Sequence, residues 1–338
     1  MFKRIFLITI LLTLYITISA QDNCGLDVDA SPGNYGLITP GDANNLRSIP
    51  AASGDLVGQI PGNGFFEVLS ETECSGGFTW LEVDSSYGTG WTVISNSDDV
   101  FVDIFEGEHY ADNGVSLVLP DALADSLTIE INDDNRGFPT YLLITFEGYI
   151  DPGSSEFNAA KIRIMDANGF EEIESMATGA ARVNFPLMIE LLDTQPDLSS
   201  YEINDLPEFY PGAAQMIYAS PYYVPFSGGM GYRFIAAYAQ DTIPISNEML
   251  QYRYQGFTWD DVYLVDVSFP IDAPEDYEYP AYDPYEAAQA DDNGAAEYNA
   301  YINEISDTLE TYDNSEFIPD LRLIDALLAS LQIEEPFD

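Results

Sequence analysis

The segment from residue 34 to residue 95 alternates short runs of β-branched and aromatic residues with clusters of turn-forming residues. Runs typical of strands lie at 65–69, 79–83 and 90–94, and turn chemistry lies between them at 61–64 and 74–77. Such closely spaced strands, with few helix-forming residues among them, favour a small closed sheet over a helical domain. The pattern predicts an all-β barrel of about 60 residues.

The first 20 residues have the layout of a signal peptide. Lys3 and Arg4 precede an apolar run at 5–18, and Ser19 and Ala20 supply the small residues of a cleavage site. The alternative is an uncleaved membrane anchor, but the run is shorter than the roughly 20 apolar residues that a spanning helix needs. We therefore expect an exported protein, secreted or associated with the cell envelope, and not inserted in the membrane after cleavage.

The charge balance excludes one class of partner. The chain has 58 Asp and Glu against 10 Lys and Arg, and loss of the first 20 residues would leave eight basic residues, with Lys161 as the one lysine. A surface of this kind repels nucleic acids and anionic membranes, because their phosphates need Lys and Arg to replace counterions. Cationic partners and divalent ions remain open, and solubility in a salty or calcium-rich medium is the simpler interpretation.

The chain has two cysteines, Cys24 and Cys74, a number compatible with an exported protein. An even pair in an oxidising compartment predicts a disulfide, and the alternative is a reactive thiol. The disulfide would attach the new N-terminus to the first domain.

Five short motifs follow one another in a fixed order between residues 38 and 94. They are Asn-x-Arg-Ser-x-Pro at 45–50, Gly-x-Ile-Pro-Gly at 58–62, Val-Leu at 68–69, Trp-x-x-Val at 80–83 and Gly-Trp at 90–91. This ordered set resembles the bacterial SH3 domain. The sequence departs from the family at Leu46 and Ile49, and it places acidic residues at Glu82 and Asp84. These departures leave the expected fold intact and the ligand open.

The resemblance implies a module that binds cell wall or peptides through a groove between its strands. The residues it points to here are Asn45, Arg47, Tyr87 and Trp91. The alternative is structural, with Arg47 paired to an acid and Trp80 in the core.

This module, together with its N-terminal extension, is predicted at 21–95. After it we expect a polar linker at 96–113 and an α+β domain at 114–271. The strands are predicted at 115–120, 127–131, 141–146, 161–165, 215–220, 232–240, 248–257 and 262–269. One helix is predicted within 170–192, interrupted at Gly179 and broken at Pro186.

The second domain also carries a resemblance. Its segments at 114–117, 157–165, 232–240, 252–256 and 267–270 are similar to an uncharacterised domain that follows SH3 modules in exported proteins of Chloroflexi-type bacteria. The order of its strands resembles the PsbP-like α/β/α sandwich. That likeness concerns the fold and implies no activity.

The C-terminal part begins with an acidic linker rich in Tyr and Pro at 272–294, for which a strap packed on the domain is the alternative. A helical hairpin is predicted at 295–338, because apolar residues recur there at helical spacing. We expect the hairpin to dock on the second domain, with a helix-mediated dimer as the alternative. The predicted fold class is therefore multi-domain: an SH3-like barrel, an α+β domain with an antiparallel sheet, and a helical hairpin.

No motif in the sequence favours catalysis. His109 is the single histidine, and the chain has no Gly-x-Ser-x-Gly motif and no glycine-rich phosphate loop. Zinc needs clustered His or Cys ligands, and one histidine with two cysteines does not supply such a cluster. Calcium needs oxygen ligands, and its candidates are Asp133, Asp134, Asp166 and Asn168, although the same residues are default turn formers.

These observations predict an exported, non-enzymatic binding protein of the bacterial cell envelope, whose SH3-like barrel recognises cell wall or a protein. Two alternatives stay open. One is an exported carboxylate-dependent hydrolase of wall or polysaccharide, and the other is a small-molecule carrier. No cofactor is expected beyond the calcium candidates, and the oligomeric state is left open.

Overall fold

The computed structural model describes residues 24–133, 137–149, 159–173, 176–203, 205–209, 213–275 and 292–337. The predicted signal peptide and most of the predicted linker at 272–294 lie outside these ranges. Within them the protein is mostly β-structure arranged in antiparallel sheets, with three α-helices. None of the described helices has the length and apolar character that crossing a bilayer requires.

The N-terminal sheet has eight antiparallel strands. They are β1 (Tyr35–Ile38), β2 (Asn44–Arg47), β3 (Leu56–Ile60), β4 (Phe65–Val68), β5 (Glu73–Ser75), β6 (Phe78–Ser85), β7 (Gly88–Ser95) and β8 (Val102–Phe105). The pairing runs β3-β2-β7-β6-β4-β1-β8, with β5 beside β6. Each strand turns alternate side chains inward, and those of Leu46 on β2, Phe66 on β4 and Leu81 on β6 pack in a shared core. The terminal strands β3 and β8 are not paired with each other in the described residues, so the predicted barrel closure is not seen.

The predicted disulfide is present. Cys24 and Cys74 are bonded, with their Cα atoms 5.4 Å apart, and Cys74 lies on β5. The bond therefore attaches the segment that precedes β1 to the N-terminal sheet.

Residues 96–113, predicted as a polar linker, instead carry β8 and a further strand, β9 (Gly107–Asp112). The sequence signal is weak because both strands lie at sheet edges, where polar side chains face solvent. Strand β8 pairs with β1 and buries Val102, while β9 pairs with β10 (Val115–Pro120), which supplies the apolar side chains. Strand β18 (Gln332–Ile333), close to the C-terminus, completes this three-stranded sheet.

The central sheet has seven strands, and each overlaps a predicted strand, although the one predicted at 248–257 begins only at residue 251. It contains β11 (Ser126–Asn132), β12 (Tyr141–Glu147), β13 (Lys161–Asp166), β14 (Ala214–Phe226), β15 (Gly229–Ala239), β16 (Gln251–Thr258) and β17 (Tyr263–Pro270). The order β11-β12-β13-β17-β16-β15-β14 is antiparallel throughout. After β13 the chain crosses to the far edge and returns strand by strand to pair β17 with β13.

Helices cover both faces of the central sheet. Helix α1 (Met176–Thr194) packs on one face, and α2 (Asp292–Leu309) and α3 (Leu321–Ala329) join the core on the other. The predicted break of the first helix at Pro186 was wrong, since α1 runs through it. A proline inside a helix removes one backbone hydrogen bond. The burial of Phe185, Met188 and Leu191 against the sheet offsets that loss.

The C-terminal helices dock on their own chain, as expected. Tyr298, Ile302 and Ile305 of α2 and Leu327 and Leu328 of α3 belong to the same buried cluster as the central sheet. Helix α3 also reaches the N-terminal sheet, where its residues Ala326 and Ala329 cluster with Leu37 of β1. One short helix thus contacts both large sheets.

We expect removal of the disulfide in a Cys24→Ala/Cys74→Ala double variant to lower the free energy of unfolding by about 4 kcal/mol, because the bond restricts the unfolded chain over a loop of this length. Chemical denaturation followed by tryptophan fluorescence measures the loss. A reductant should destabilise the wild type by a similar amount and leave the variant unaffected. An unchanged midpoint in the variant would contradict this role.

Candidate functional site

The four residues that the SH3 resemblance singled out lie in one region of the N-terminal sheet. Arg47 and Trp91 are direct cross-strand partners, and Asn45 precedes Arg47 on the same face of β2. Tyr87 lies in the turn before β7 and is 39% exposed, and partial burial raises its pKa. Trp80 is buried in this sheet, as the structural alternative held.

The polar groups of that region are already bonded within the sheet. Arg47 donates from Nη1 to the carbonyl oxygen of Gly54 at 2.8 Å, so this hydrogen bond goes to a backbone carbonyl and not to an acid. Gln59 donates from Nε2 to Oδ1 of Asn45 at 3.0 Å. The aromatic side chains of Tyr87 and Trp91 are therefore what this surface offers to a ligand.

The calcium candidates are explained as turn residues where the structure describes them. Oδ1 of Asp166 accepts the backbone N–H of Asn168 at 2.8 Å, which is the bonding of a tight turn. Asp133 is exposed at the end of a strand, and Asp134 lies outside the described residues. Among the described residues, no group of three or more His, Cys, Asp or Glu side chains is placed to hold a metal ion.

A cleft of about 370 Å³ lies where the N-terminal sheet meets helix α3 and the central sheet. We call it the junction cleft. The N-terminal sheet and its loops contribute Thr39, Asn63 and Asp103, and the rest of the chain contributes Tyr222, Asp313, Asn314, Arg322 and Asp325. The cleft thus brings together polar side chains from segments that are far apart in the sequence.

A fully buried arginine lies directly behind the wall of the junction cleft. The guanidinium of Arg233 stacks on Tyr222, with 3.8 Å between Cζ and the ring centroid, and its Nη2 donates to Oδ1 of Asn314 at 2.7 Å. Its Nε lies 3.7 Å from Oδ1 of Asp325. Within the described part of the chain, Nε and Nη1 have no hydrogen-bond partner. Buried N–H groups in proteins are nearly always hydrogen-bonded to a protein atom or to ordered water.

Asp325 is the counter-ion of Arg233 and is itself buried in helix α3. Its carboxylate accepts hydrogen bonds from the hydroxyls of Tyr252, at 2.7 Å, and of Tyr222. Burial raises the pKa of Asp325, and the neighbouring Arg233 opposes that rise. The pair therefore joins α3 to β14, β15 and β16.

A second ion cluster lies at the rim of the cleft. Arg322 of α3 donates to Asp103 of β8 and to Asp320, at 2.6 Å in both cases. Burial raises the pKa of Asp103, and Arg322 counteracts part of this shift. Three carboxylates, those of Asp103, Asp313 and Asp325, line the cleft with Arg322, and Asp325 is paired with Arg233 behind the wall.

The opposite face of the central sheet carries a different polar cluster. Asp266 of β17 accepts from Nη1 of Arg163 at 3.0 Å, from Nη2 of Arg253 at 2.8 Å and from Nε2 of Gln255 at 3.1 Å. Burial alone would raise the pKa of Asp266, but Arg253 and Arg163 hold it below its usual value.

Glu208 lies at the edge of this cluster in a buried position. Its carboxyl group accepts from the hydroxyl of Tyr238, at 3.0 and 2.9 Å, and from Nε2 of Gln215 at 3.1 Å. Burial raises the pKa of Glu208 to about 7, against the opposing effect of Arg253.

Sequence reasoning missed both polar clusters. A usable signal was present, because basic residues are rare in this chain and four of them, Lys161, Arg163, Arg233 and Arg253, lie inside predicted strands. Charged residues are seldom buried unless they are paired. Their carboxylate partners are not identifiable from spacing in a chain with 58 acidic residues.

Comparisons with known proteins do not identify this chain. No family model matches the sequence, and no curated protein does.

Substituting Asp325 tests whether α3 depends on its buried ion pair. We expect Asp325→Ala to lower the free energy of unfolding by about 3–5 kcal/mol, because it leaves a buried guanidinium without its counter-ion. An additional Arg233→Met substitution should restore part of the loss, since the unpaired charge is then gone. The exposed Asp307→Ala on α2 is the matched control, and equal effects of the two Asp→Ala variants in urea unfolding would contradict the assignment.

Glu208 should make stability depend on pH. Its pKa rises from 4.5 to about 7 on folding, so the folded state binds this proton more tightly than the unfolded chain. The stabilisation is complete below pH 4.5 and is lost as the pH rises through about 7. Relative to Glu208→Gln, the wild type should lose up to about 3 kcal/mol across this window.

Urea unfolding at pH 4.5, 6 and 7.5 measures the difference between the wild type and Glu208→Gln. The exposed Glu190→Gln of α1 should follow the wild-type pH dependence. A Glu208→Gln curve parallel to that of the wild type would show that Glu208 titrates normally.

Proposed function

We propose that this chain is an exported, non-catalytic binding protein of the bacterial cell envelope and that the junction cleft is its ligand site. The disulfide supports an extracellular location. The ordered motifs of the N-terminal sheet support an SH3-like module, which is the part of the chain expected to recognise cell wall or a protein.

The observation that carries the proposal is the composition of the junction cleft. Its walls come from the SH3-like module and from the central sheet with helix α3, and its polar groups converge on one space of about 370 Å³. Concave sites of this size, with a few fixed polar groups and perturbed titratable side chains, are typical ligand sites.

The charges of the cleft define the class of ligand. The carboxylates of Asp103 and Asp313 supply acceptors, Asp325 is already paired with Arg233, and Asn63, Asn314 and Thr39 supply side chains that can donate or accept. Leu37, Ile38 and Val102 add apolar surface. A neutral or cationic chain with hydroxyl and amide groups fits this lining, as a wall glycan, its peptide or a protein segment would.

Filling the cleft should abolish binding without unfolding the protein. Val100 lines the cleft and is 40% exposed, so Val100→Trp places an indole in the ligand space at little cost to the core. Val183 of α1 is 64% exposed and far from the cleft in the fold, which makes Val183→Trp the matched control. In a pull-down on purified cell wall or with a purified envelope partner, we expect the bound fraction to fall several-fold for Val100→Trp alone.

Two outcomes would overturn the proposal. One is a wild-type protein that stays in the supernatant and retains no partner. The other is clearing of peptidoglycan in a zymogram that Glu208→Gln abolishes. The raised pKa of Glu208 beside the lowered pKa of Asp266 is the pattern of a carboxylate acid and base pair, so this zymogram tests the hydrolase alternative directly.

A further inference from the structure

An exposed tryptophan lies at the tip of the hairpin that joins β16 to β17. Trp259 is 63% exposed, and it is the largest of the apolar side chains that reach the surface in the described part of the chain. Trp80 is buried in the N-terminal sheet and Trp91 is half-buried. Single exposed apolar residues are common in proteins, so the surroundings of Trp259 decide whether it serves a ligand.

A cleft of about 380 Å³ lies beside Trp259, at the end of the central sheet where the β14–β15 and β16–β17 hairpins meet β18. We call it the tip cleft. It is lined by the rings of Trp259 and Tyr263, by the carboxylates of Asp260 and Glu335, and by Gly228. A Cβ atom at Gly228 would meet no atom within 4 Å, so the space above this residue is open. The tip cleft shares no lining residue with the junction cleft.

Hydrogen bonds fix the hairpin tip that carries Trp259. The backbone N–H of Trp259 donates to the carbonyl oxygen of Gly228 at 2.9 Å, which joins the two hairpins. Within the turn, the hydroxyl of Thr258 donates to Oδ1 of Asp260 at 2.7 Å, and the backbone N–H of Val262 donates to the same oxygen at 3.2 Å. The indole is therefore presented on an ordered turn, and binding there costs little conformational entropy.

The lining of the tip cleft carries negative charge and no basic side chain. Asp260 and Glu335 are exposed carboxylates, and neither Lys nor Arg is among the described residues that line the cleft. The hydroxyl of Thr258 holds the pKa of Asp260 below its usual value, so this carboxylate stays ionised in mildly acidic solution. An anion is repelled here, whereas a cation is attracted both by the carboxylates and by the electron-rich face of the indole.

We propose that the tip cleft is a second binding site, specific for an organic cation with a quaternary ammonium group, which is held against the face of Trp259. Among the aromatic side chains, tryptophan attracts a cation most strongly. A quaternary ammonium group has no N–H and is weakly hydrated, so it gives up little hydration and needs no hydrogen-bond acceptor. This matches a cleft in which Oδ1 of Asp260 already accepts two hydrogen bonds and the carboxylate acts through its charge.

Titration of the full secreted chain with choline chloride at constant ionic strength, followed by saturation-transfer NMR of the choline methyl signal, tests this site. We expect saturable binding that Trp259→Ala weakens roughly tenfold, because the cation loses its aromatic face. Trp259→Phe should bind with intermediate affinity, since a phenyl ring attracts a cation less strongly. Leu187 of α1 is an exposed apolar residue outside the tip cleft, so Leu187→Ala is the matched control and should bind choline like the wild type.

The carboxylates are tested separately. Glu335→Gln should weaken choline binding about twofold to threefold at low ionic strength, which is the size of effect that an exposed charge gives. Sodium chloride should reduce this difference, because exposed charges are screened by salt. Glu190→Gln on α1 removes the same charge outside the tip cleft and should leave choline binding unchanged.

Phosphatidylcholine vesicles distinguish two sources of the quaternary ammonium group. Cosedimentation with the vesicles that Trp259→Ala abolishes indicates a lipid headgroup, and binding of free choline alone indicates a soluble compound; both results support the site. Absence of binding to choline and to the vesicles, or equal weakening by Trp259→Ala and Leu187→Ala, overturns the proposal. Tighter binding of methylammonium or of cellohexaose than of choline also overturns it. Val100→Trp should bind choline like the wild type, which separates this result from the test of the junction cleft.

Discussion

The buried pair of Arg233 and Asp325 is the interaction on which the arrangement of the chain depends. A guanidinium in the core of a sheet needs a counter-ion, and this one comes from a helix near the C-terminus. With Asp325 paired to Arg233, the same helix places Arg322 beside Asp103 of β8. At its C-terminal end, Oγ of Ser330 accepts the backbone N–H of Val118 in β10 at 2.9 Å. Helix α3 therefore connects all three sheets and forms one wall of the junction cleft.

Strand alternation explains how one sheet carries two separate polar sites. The sequence places a tyrosine before an arginine twice, at 232–233 in β15 and at 252–253 in β16. In the register of the sheet Arg233 opposes Tyr254 and Arg253 opposes Phe234, so the two arginines occupy adjacent rows and point to opposite faces. Arg233 faces the helices α2 and α3, and Arg253 faces the side that α1 covers. The same dipeptide thus supplies one cation to each face.

The sequence predicted the features that depend on local pattern. The eight strands at 115–269 were found because their β-branched and aromatic runs are dense, and the disulfide followed from a single pair of cysteines. Strands β8 and β9 were missed because edge strands take their partners from elsewhere and need few apolar residues of their own. The continuity of α1 through Pro186 was missed because tertiary packing overrides a local helix breaker.

The candidate sites could not be predicted for a different reason. Arg233 and Asp325 are far apart in sequence, and nothing in the residues around Asp325 distinguishes it from the other acids of an acidic chain. Its role arises when an amphipathic helix, recognised from its leucines alone, docks with that carboxylate toward the sheet. The rarity of basic residues was the stronger signal, since each arginine inside an apolar strand requires a partner that has to be supplied by the fold.

The acidic composition of the chain contrasts with the arginines that are buried on both sides of the central sheet. Charges in solvent are screened over about 8 Å at physiological ionic strength, so the many surface carboxylates act on a ligand mainly when it is close to them. A recessed cluster of cations is screened less, and its attraction acts at short range where it is desolvated. The buried arginines therefore act mainly on the carboxylates beside them, Arg233 on Asp325 and both Arg163 and Arg253 on Asp266, and these pairs stabilise the two sides of one sheet.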